Sequence, residues 1–247
     1  MSNVIFGVNP VLEVLRAQPG QIEKLFIAEG ALSPKLAGEV LARAKEAGLK
    51  VERVERERLG RMVDGGVHQG VVANVREFEY TDLDGMIARA KKASPSPVIV
   101  LLDGIQDPHN LGAIIRSAHA LGAHGIVIMK DRAVGVTGVV MKASAGAIAH
   151  TPVARVTNLS RAIETLKEAG FWSVAADPDG DQELWNAKLD GPLAVIVGSE
   201  GPGVRQGVLG HCDFRVRIPM VGQVASLNAS VSASVLLYEI ARQRPRS

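Results

Sequence analysis

The sequence holds 247 residues, of which 47% are hydrophobic, and its formal net charge is +2. This size and apolar content suffice for one large or two small domains with a buried core. The charge is too small to indicate nucleic-acid binding by electrostatics alone, so any RNA contact must come from local placement of basic side chains. Because neither a membrane-spanning run nor a signal-peptide pattern is seen, we expect a cytoplasmic protein without a membrane partner.

Residues 1 to 77 alternate short apolar runs with amphipathic stretches, which is typical of a small α/β domain. Asn9-Pro10 predicts a helix with the proline at its first position, and Ser33-Pro34 predicts a second helix that runs to Gly48. Apolar runs predict strands over 22–28, 49–55 and 70–77.

A polar stretch over residues 78–97 ends in Ser and Pro, and we interpret it as a linker with a short polar helix that lacks a core pattern. Residues 98–247 form the second predicted domain, in which nearly wholly apolar runs alternate with helical stretches. Such runs are typical of strands buried on both faces of a parallel sheet. The predicted class is α/β with a mainly parallel sheet, and the predicted strands are 98–103, 125–129, 171–176, 193–197 and 214–220.

Three unusual loops follow three of these strands, at the carboxyl ends where open parallel sheets bind ligands. The first loop, GIQDPHN, leads into a helix that we predict to be capped by Asn110. Arg116 lies further along this helix, and its long side chain leans back toward the loop, so Asn110 and Arg116 could contact one ligand. Taken singly, Asn110 fits better as an ordinary helix cap, and Arg116 fits better as an ordinary solvated arginine.

The second loop, GSEGPGV, places Glu200 between glycines, which permit tight turns and close approach to a ligand. Its glycine spacing differs from the dinucleotide fingerprint, which argues against a nicotinamide enzyme. The third segment is IPMVGQVASLNASVSASVLLYEIARQ, at residues 218–243. It is rich in small residues around a helix start that either Ser226 or Asn228 could cap. Those small residues would equally suit a core helix or a dimer-facing helix.

Together the three segments resemble the SpoU family of RNA ribose methyltransferases, which have the SPOUT fold. The family's motifs occur in order as Asn110 with Arg116, then Glu200 in GSEGPG, then Ser226-Leu227-Asn228. FGVNPVLEVL and VHQGVVA also resemble the N-terminal domain of one branch of the family. That branch includes an enzyme that methylates a guanosine ribose of bacterial large-subunit rRNA, so the resemblance implies a guanosine in the peptidyl-transferase region of 23S rRNA as the substrate.

The resemblance implies S-adenosyl-L-methionine as methyl donor, a deep C-terminal trefoil knot, and cofactor contacts at Gly198, Ile218 and Leu227. It implies that residues 1–77 bind the RNA substrate and resemble ribosomal protein L30e, and that the protein is a homodimer. No metal is required, and the six histidines show no metal-ligand spacing. The catalytic residues that the resemblance implies are Asn110, Arg116, Glu200, Ser226 and Asn228.

Arg116 is a poor general base, because a guanidinium has a pKa above ~12 and hardly ever releases a proton in proteins. We therefore expect Arg116 to bind RNA phosphate and to stabilise developing charge. Asn110 would orient Arg116 or the ribose hydroxyl, and Glu200 would hold Arg116 or the loops. His68 and Gln69 could contact RNA, but a buried, hydrogen-bonded histidine is at least as good an interpretation.

Three alternative functions stay open at this point. Two are enzymes of the same family, a tRNA guanosine and an rRNA adenosine 2′-O-methyltransferase. The tRNA enzymes usually carry terminal helical extensions, so the compact N-terminal domain favours rRNA. A noncatalytic RNA-binding protein is the alternative from another class, but it would not need the full set of motif residues.

Overall fold

The structure is a computed structural model that describes residues 3–17, 19–63, 65–76, 78–223 and 226–244. The chain divides into two compact units, each with its own sheet. Within the described residues, no helix combines the length and the apolar content needed to cross a membrane. Unit 1 comprises residues 1–79 and 136–142, and unit 2 comprises residues 80–135 and 143–247.

Unit 1 contains a four-stranded mixed sheet in the order β1-β4-β2-β3, where β4 runs antiparallel to both of its neighbours and β3 runs parallel to β2. Apolar residues of the sheet and of the first two helices form its core, including Val11, Leu25 and Val40. The elements are β1 Asn3–Phe6, α1 Val8–Ala17, β2 Ile22–Ala28, α2 Pro34–Glu46, β3 Val51–Val54, α3 Arg56–Met62 and β4 Val71–Val75.

The start of α1 differs from the prediction, since the helix begins at Val8 and not at Asn9-Pro10. The amide of Val8 donates to Oε1 of Gln69 at 3.1 Å, so a residue distant in sequence caps this helix. The neighbouring His68 is buried, and its Nδ1 accepts a hydrogen bond from Gly70 N at 3.1 Å. Both side chains that the sequence offered as possible RNA contacts therefore stabilise unit 1.

Unit 2 contains a seven-stranded parallel sheet in the order β7-β6-β5-β10-β8-β11-β9, which confirms the predicted α/β class. The five predicted strands are present, but the last is shorter because it ends at Arg217, ahead of Pro219, which cannot donate to a ladder. The strands are β5 Val98–Asp103, β6 Gly125–Met129, β7 Val153–Val156, β8 Trp172–Ala176, β9 Gln182–Glu183, β10 Leu193–Gly198 and β11 Phe214–Arg217.

Helices cover the sheet of unit 2, and α5 packs against α9. The segment 78–97 differs from the prediction of a polar helix without a core pattern, because its helix α4 buries Met86, Ile87 and Ala90 on one face. That face belongs to the main core of unit 2. The helices of unit 2 are α4 Leu83–Ala93, α5 Pro108–Ala120, α7 Leu159–Glu168, α8 Gln206–Leu209 and α9 Ala229–Gln243, whereas nearly all of α6 Gly138–Ala143 belongs to unit 1.

The central strands β5 and β10 place the predicted motifs together. They pair in parallel with Gly198 opposite Asp103, so the loops that follow both strands leave the same edge of the sheet. The trefoil knot and the likeness of unit 1 to ribosomal protein L30e stay predictions.

Candidate active site

The helix after β5 begins differently from the prediction, because Asp107 and not Asn110 is its cap. The Asp107 carboxylate accepts a hydrogen bond from His109 N at 2.9 Å, and Pro108 occupies the first turn. The Asp-Pro pair fits this start because proline needs no partner for its nitrogen at the first helical position. The side chain of Asn110 is thus free for other contacts, and Asn110 is buried.

Asn110 joins a hydrogen-bonded network with Glu200 and Asn228, one residue from each of the three predicted motifs. Asn110 Nδ2 donates to Glu200 Oε1 at 3.1 Å, and Asn228 Nδ2 donates to Asn110 Oδ1 at 2.9 Å. Asn228 Nδ2 also donates to Glu200 Oε1. The loop after β5, the loop after β10 and the segment before α9 are therefore tied together at one point.

Asn228 also caps α9, a role for which the sequence left Ser226 as an alternative. Its Oδ1 accepts hydrogen bonds from Ser230 N at 2.8 Å and from Val231 N at 3.4 Å. One side chain thus uses its oxygen for the helix and its nitrogen for the network. The start of α9 and the position of the Glu200 carboxylate consequently depend on each other.

A cavity of about 470 Å³ lies beside the network. Glu200 and Ser226 line it, and so do all three residues that the resemblance implied as cofactor contacts, Gly198, Ile218 and Leu227. Its volume falls within the range of ~300–1,000 Å³ that is usual for sites of small ligands and cofactors. Further lining residues that sequence reasoning did not identify include Asp177, Glu183, Val197, Val216 and Met220.

The glycines of the second motif permit a tight loop at one wall of this cavity. A Cβ atom on Gly198 would lie 2.0 Å from the carbonyl carbon of Gly203, so no larger residue fits at the end of β10. Gly201 and Gly203 adopt φ angles of +82° and +66°, which favour glycine. At these glycines the loop therefore presents backbone without a side chain.

Arg116 is the one predicted catalytic residue outside this arrangement. Its side chain is exposed, does not line the cavity, and makes no hydrogen bond or ion pair with any residue that the structure describes. Six positions separate it from Asn110, which places the two side chains about 120° apart around the helix. The structure thus brings Asn110 to Glu200 and Asn228, and leaves Arg116 open to solvent.

Sequence reasoning missed a polar pair beneath the Glu200 loop, formed by Asp103 and Arg205. The Asp103 carboxylate is buried at the end of β5 and forms an ion pair with Arg205 at 2.6 Å. Hydrogen bonds with Asp103 raise the pKa of the Arg205 guanidinium, which keeps it charged. The available signal was a carboxylate that ends an otherwise wholly apolar strand, VIVLLD.

The described residues offer neither a metal site nor a reactive thiol. Within the described ranges, no three His, Cys, Asp or Glu residues cluster in a way that could hold a metal ion. Burial raises the pKa of the Cys212 thiol to about 12, with a further contribution from Asp213. The thiolate needed for nucleophilic chemistry is therefore scarce at neutral pH.

The chain belongs to the SpoU rRNA Methylase family, whose sequence pattern matches residues 97–238. A second pattern, described as RNA 2′-O ribose methyltransferase substrate binding, matches residues 4–81. The two patterns cover the region of the Asn110–Glu200–Asn228 network and most of unit 1, respectively. The family suggested by the three motifs is thereby confirmed.

Full-length relatives and a solved structure agree with this assignment. The chain is 46% identical to the TrmH family protein YacO of Bacillus subtilis, over 97% of this chain and 95% of that protein. It is 38% identical to the 23S rRNA (guanosine-2′-O-)-methyltransferase RlmB of Yersinia pestis, over 99% and 98%. The crystal structure of the SpoU methyltransferase AviRb from Streptomyces viridochromogenes with AdoMet shares 28% identity over 97% of this chain and 89% of that chain, with a TM-score of 0.71.

Proposed function

We propose that this protein transfers a methyl group from S-adenosyl-L-methionine to the ribose 2′-hydroxyl of a guanosine in the peptidyl-transferase region of 23S rRNA. The observation that carries the proposal is the Asn110–Glu200–Asn228 network beside a cavity of cofactor size. Family membership supports RNA methylation, and the similarity to RlmB supports a 23S rRNA guanosine as the target. The AdoMet complex of AviRb supports the choice of methyl donor.

The cavity residues fit S-adenosyl-L-methionine. Apolar side chains such as Val197, Ile218 and Leu227 offer a surface for a flat adenine ring, while Gly198 exposes backbone where a Cβ atom would not fit. When bound, the cofactor supplies a methyl group on a positively charged sulfur. The chain's own task is to hold the accepting ribose oxygen in line with that methyl group.

Positioning is one large contribution that these residues can make. Fixing two reactants near attack distance is worth ~7 kcal/mol or more of the activation barrier. The amides of Asn110 and Asn228 and the carboxylate of Glu200 hold one another in place, so they can orient a ribose with little reorganisation. The Ser226 hydroxyl lines the same cavity and completes the proposed substrate side.

Arg116 is proposed to bind an RNA phosphate near the reacting ribose and to stabilise negative charge on its oxygen. Its exposed side chain has no partner within the described part of the chain, so the guanidinium is available for a forked contact with phosphate. This role needs no release of a proton from Arg116.

Residues 4–81, which match the substrate-binding pattern, would select the RNA. The protein would act in the cytoplasm as a homodimer, and α9 offers exposed Val231 and Tyr238 side chains for contact with a second copy. Light scattering at several concentrations would measure the dimer.

The test incubates the protein with methyl-labelled S-adenosyl-L-methionine and unmodified RNA. Parallel reactions contain 23S rRNA, precursor large-subunit particles, 16S rRNA or tRNA. Alkaline hydrolysis, which a 2′-O-methyl group blocks at the modified position, then locates the label, and nucleoside mass spectrometry identifies the base. We expect 2′-O-methylguanosine in 23S rRNA, either free or in the particles.

Each other outcome of this experiment selects an alternative. Label in tRNA would favour a tRNA guanosine methyltransferase, and label on adenosine would favour the rRNA adenosine enzyme. Label in none of the RNAs, combined with tight RNA binding in a filter assay, would favour a noncatalytic RNA-binding protein.

A further inference from the structure

A buried ion pair lies at the base of the loop that carries Glu200. The side chain of Asp103 is 0% exposed, whereas that of Arg205 is 46% exposed. Arg205 Nη2 lies 2.6 Å from Oδ1 of Asp103, and Nε donates to both carboxylate oxygens at 2.8 and 3.1 Å. The backbone nitrogen of Arg205 adds a hydrogen bond to Oδ2 at 2.9 Å. The guanidinium and the backbone amide of Arg205 thus bind the same carboxylate, and this fixes the orientation of Arg205.

These contacts attach both ends of the 199–205 loop to strand β5. The loop leaves β10 after Gly198, which pairs with Asp103 in the sheet. It returns at Arg205, the residue before α8, and there it contacts Asp103 again. Arg205 Nη2 also donates to Met129 Sδ at 3.0 Å, so the end of β6 joins the anchor. Glu200 lies between the two anchored ends.

The position of Glu200 matters because its Oε1 accepts from both Asn110 and Asn228. Glu200 itself is exposed, so little packing holds its side chain. Its place must therefore come from the backbone of the loop and from those two amides. An antiparallel bridge between Ser199 and Gly203 narrows the loop but does not attach it to the sheet.

We infer that Asp103 and Arg205 are positioning residues for methyl transfer, which anchor the 199–205 loop so that Glu200 meets Asn110 and Asn228 together. The inference rests on the proposed function. Neither residue lines the cavity, so both act through the loop and not on the substrate.

The test compares Arg205→Lys with Arg242→Lys, a matched control. Arg242 also forks onto a largely buried carboxylate, with Nε and Nη2 both 2.8 Å from the oxygens of Glu239. It lies in the last turn of α9, about 21 Å from Asn228 by the rise per residue. A lysine keeps the charge at either site but cannot reproduce the fork.

For Arg205→Lys we expect kcat to fall on the order of 10- to 100-fold, since displacement of reacting groups by about 1 Å can cost that much. KM for RNA should stay within about two-fold, because RNA binding is assigned to unit 1 and Arg116. Hydrogen exchange of the amides over 199–204 should accelerate, and calorimetry should show weaker S-adenosyl-L-methionine binding. Arg242→Lys should leave kcat, loop exchange and cofactor affinity unchanged.

The inference is overturned if Arg205→Lys keeps kcat within about two-fold of wild type, or if Arg242→Lys lowers kcat as much. If Arg205→Lys does not fold, the double variant Asp103→Asn with Arg205→Gln leaves no buried unpaired charge, and the same fall in kcat is expected of it. Failure of the wild-type protein to methylate any RNA overturns the proposed function instead. Loop exchange then still decides whether Arg205 anchors the loop.

Discussion

Asn228 donates a hydrogen bond to Asn110 over 2.9 Å, although 118 positions separate the two residues in the chain. Each amide has a second partner, since the Asn228 oxygen caps α9 and the Asn110 nitrogen donates to Glu200. The two helix starts and the Glu200 loop are therefore coupled. A change to Asn110, Glu200 or Asn228 should therefore alter both the free energy of unfolding and the rate of methyl transfer, by amounts that differ between the three residues.

Asn228→Ala removes both a helix cap and a member of the network. Loss of the cap should lower the free energy of unfolding by ~1 kcal/mol. Methyl transfer should fall much further than this loss of stability explains, because Glu200 and Asn110 each lose a partner. The control is Asn158→Ala, which removes the cap of α7, where Asn158 Oδ1 accepts from Arg161 N at 3.0 Å. Denaturant unfolding should give a loss for Asn228→Ala that is at least as large as that of the control, and equal activities would contradict the role of Asn228.

Glu200→Gln tests the charge of the central acceptor without changing its size. Hydrogen bonds to a carboxylate are roughly twice as strong as those to a neutral group, so loosening the network should lower kcat by about 10-fold. Because Glu200 is exposed, the melting temperature should hardly change. Glu164→Gln, at a half-exposed carboxylate that pairs with His211, serves as the control. Steady-state kinetics with saturating RNA provide the measurement, and full activity of the Glu200 variant would show that its charge is dispensable.

Gly198→Ala should damage the cavity more than the fold. The added Cβ would meet the carbonyl carbon of Gly203 at 2.0 Å, so the loop must move away from β10. Overpacking of this kind costs ~1–3 kcal/mol of stability. Cofactor affinity should also fall, because the displaced loop forms one wall of the cavity. Gly191 lies two residues before β10, and a Cβ there meets no atom within 4 Å, so Gly191→Ala should leave cofactor affinity unchanged. Calorimetric titration with S-adenosyl-L-methionine distinguishes the two, and unchanged affinity at position 198 would refute the proposed contact.

Arg116→Lys separates catalysis from stability. The exposed side chain has no polar partner within the described residues, so the melting temperature should equal that of wild type. Lysine cannot make the forked contact with phosphate, so kcat/KM for RNA should fall by about 10-fold or more. Arg161→Lys, at an exposed position on α7, is the matched control. Near-full turnover of the Arg116 variant would show that forked phosphate binding is wrong.

Cys212 should resist alkylation in the folded protein. Burial raises the pKa of its thiol to about 12, and the reactive thiolate is the main form only above the pKa. At pH 8 roughly one Cys212 thiol in 10⁴ is then ionised in the folded protein. In unfolded chains the pKa of a thiol is about 8.5, so a substantial fraction is ionised at the same pH. Iodoacetamide labelling followed by mass spectrometry should thus be slow in buffer and fast in guanidinium. Equal rates in both conditions would contradict the effect of burial.

Local patterns were sufficient for much of the fold. Fully buried strands such as Val98–Asp103 have continuous apolar runs, and Ser33 caps α2 through Leu36 N at 3.4 Å as its sequence predicts. The strands Val153–Val156 and Gln182–Glu183 went unpredicted, and both lie at the edges of the seven-stranded sheet. An edge strand has a neighbour on one side only and can be short, so no long apolar run marks it.

The three motifs by themselves determined the family and the residues worth testing, because each motif is a contiguous stretch of sequence. Only the tertiary structure decided what those residues contact. The parallel pairing of β5 with β10 brings Asp103 to Arg205 and Asn110 to Glu200, pairs that lie 102 and 90 positions apart. Local propensity could suggest Asn110 as a cap, but sheet register made it a partner of Glu200. Contacts of this range depend on which strands become neighbours, and that is settled by packing of the whole core.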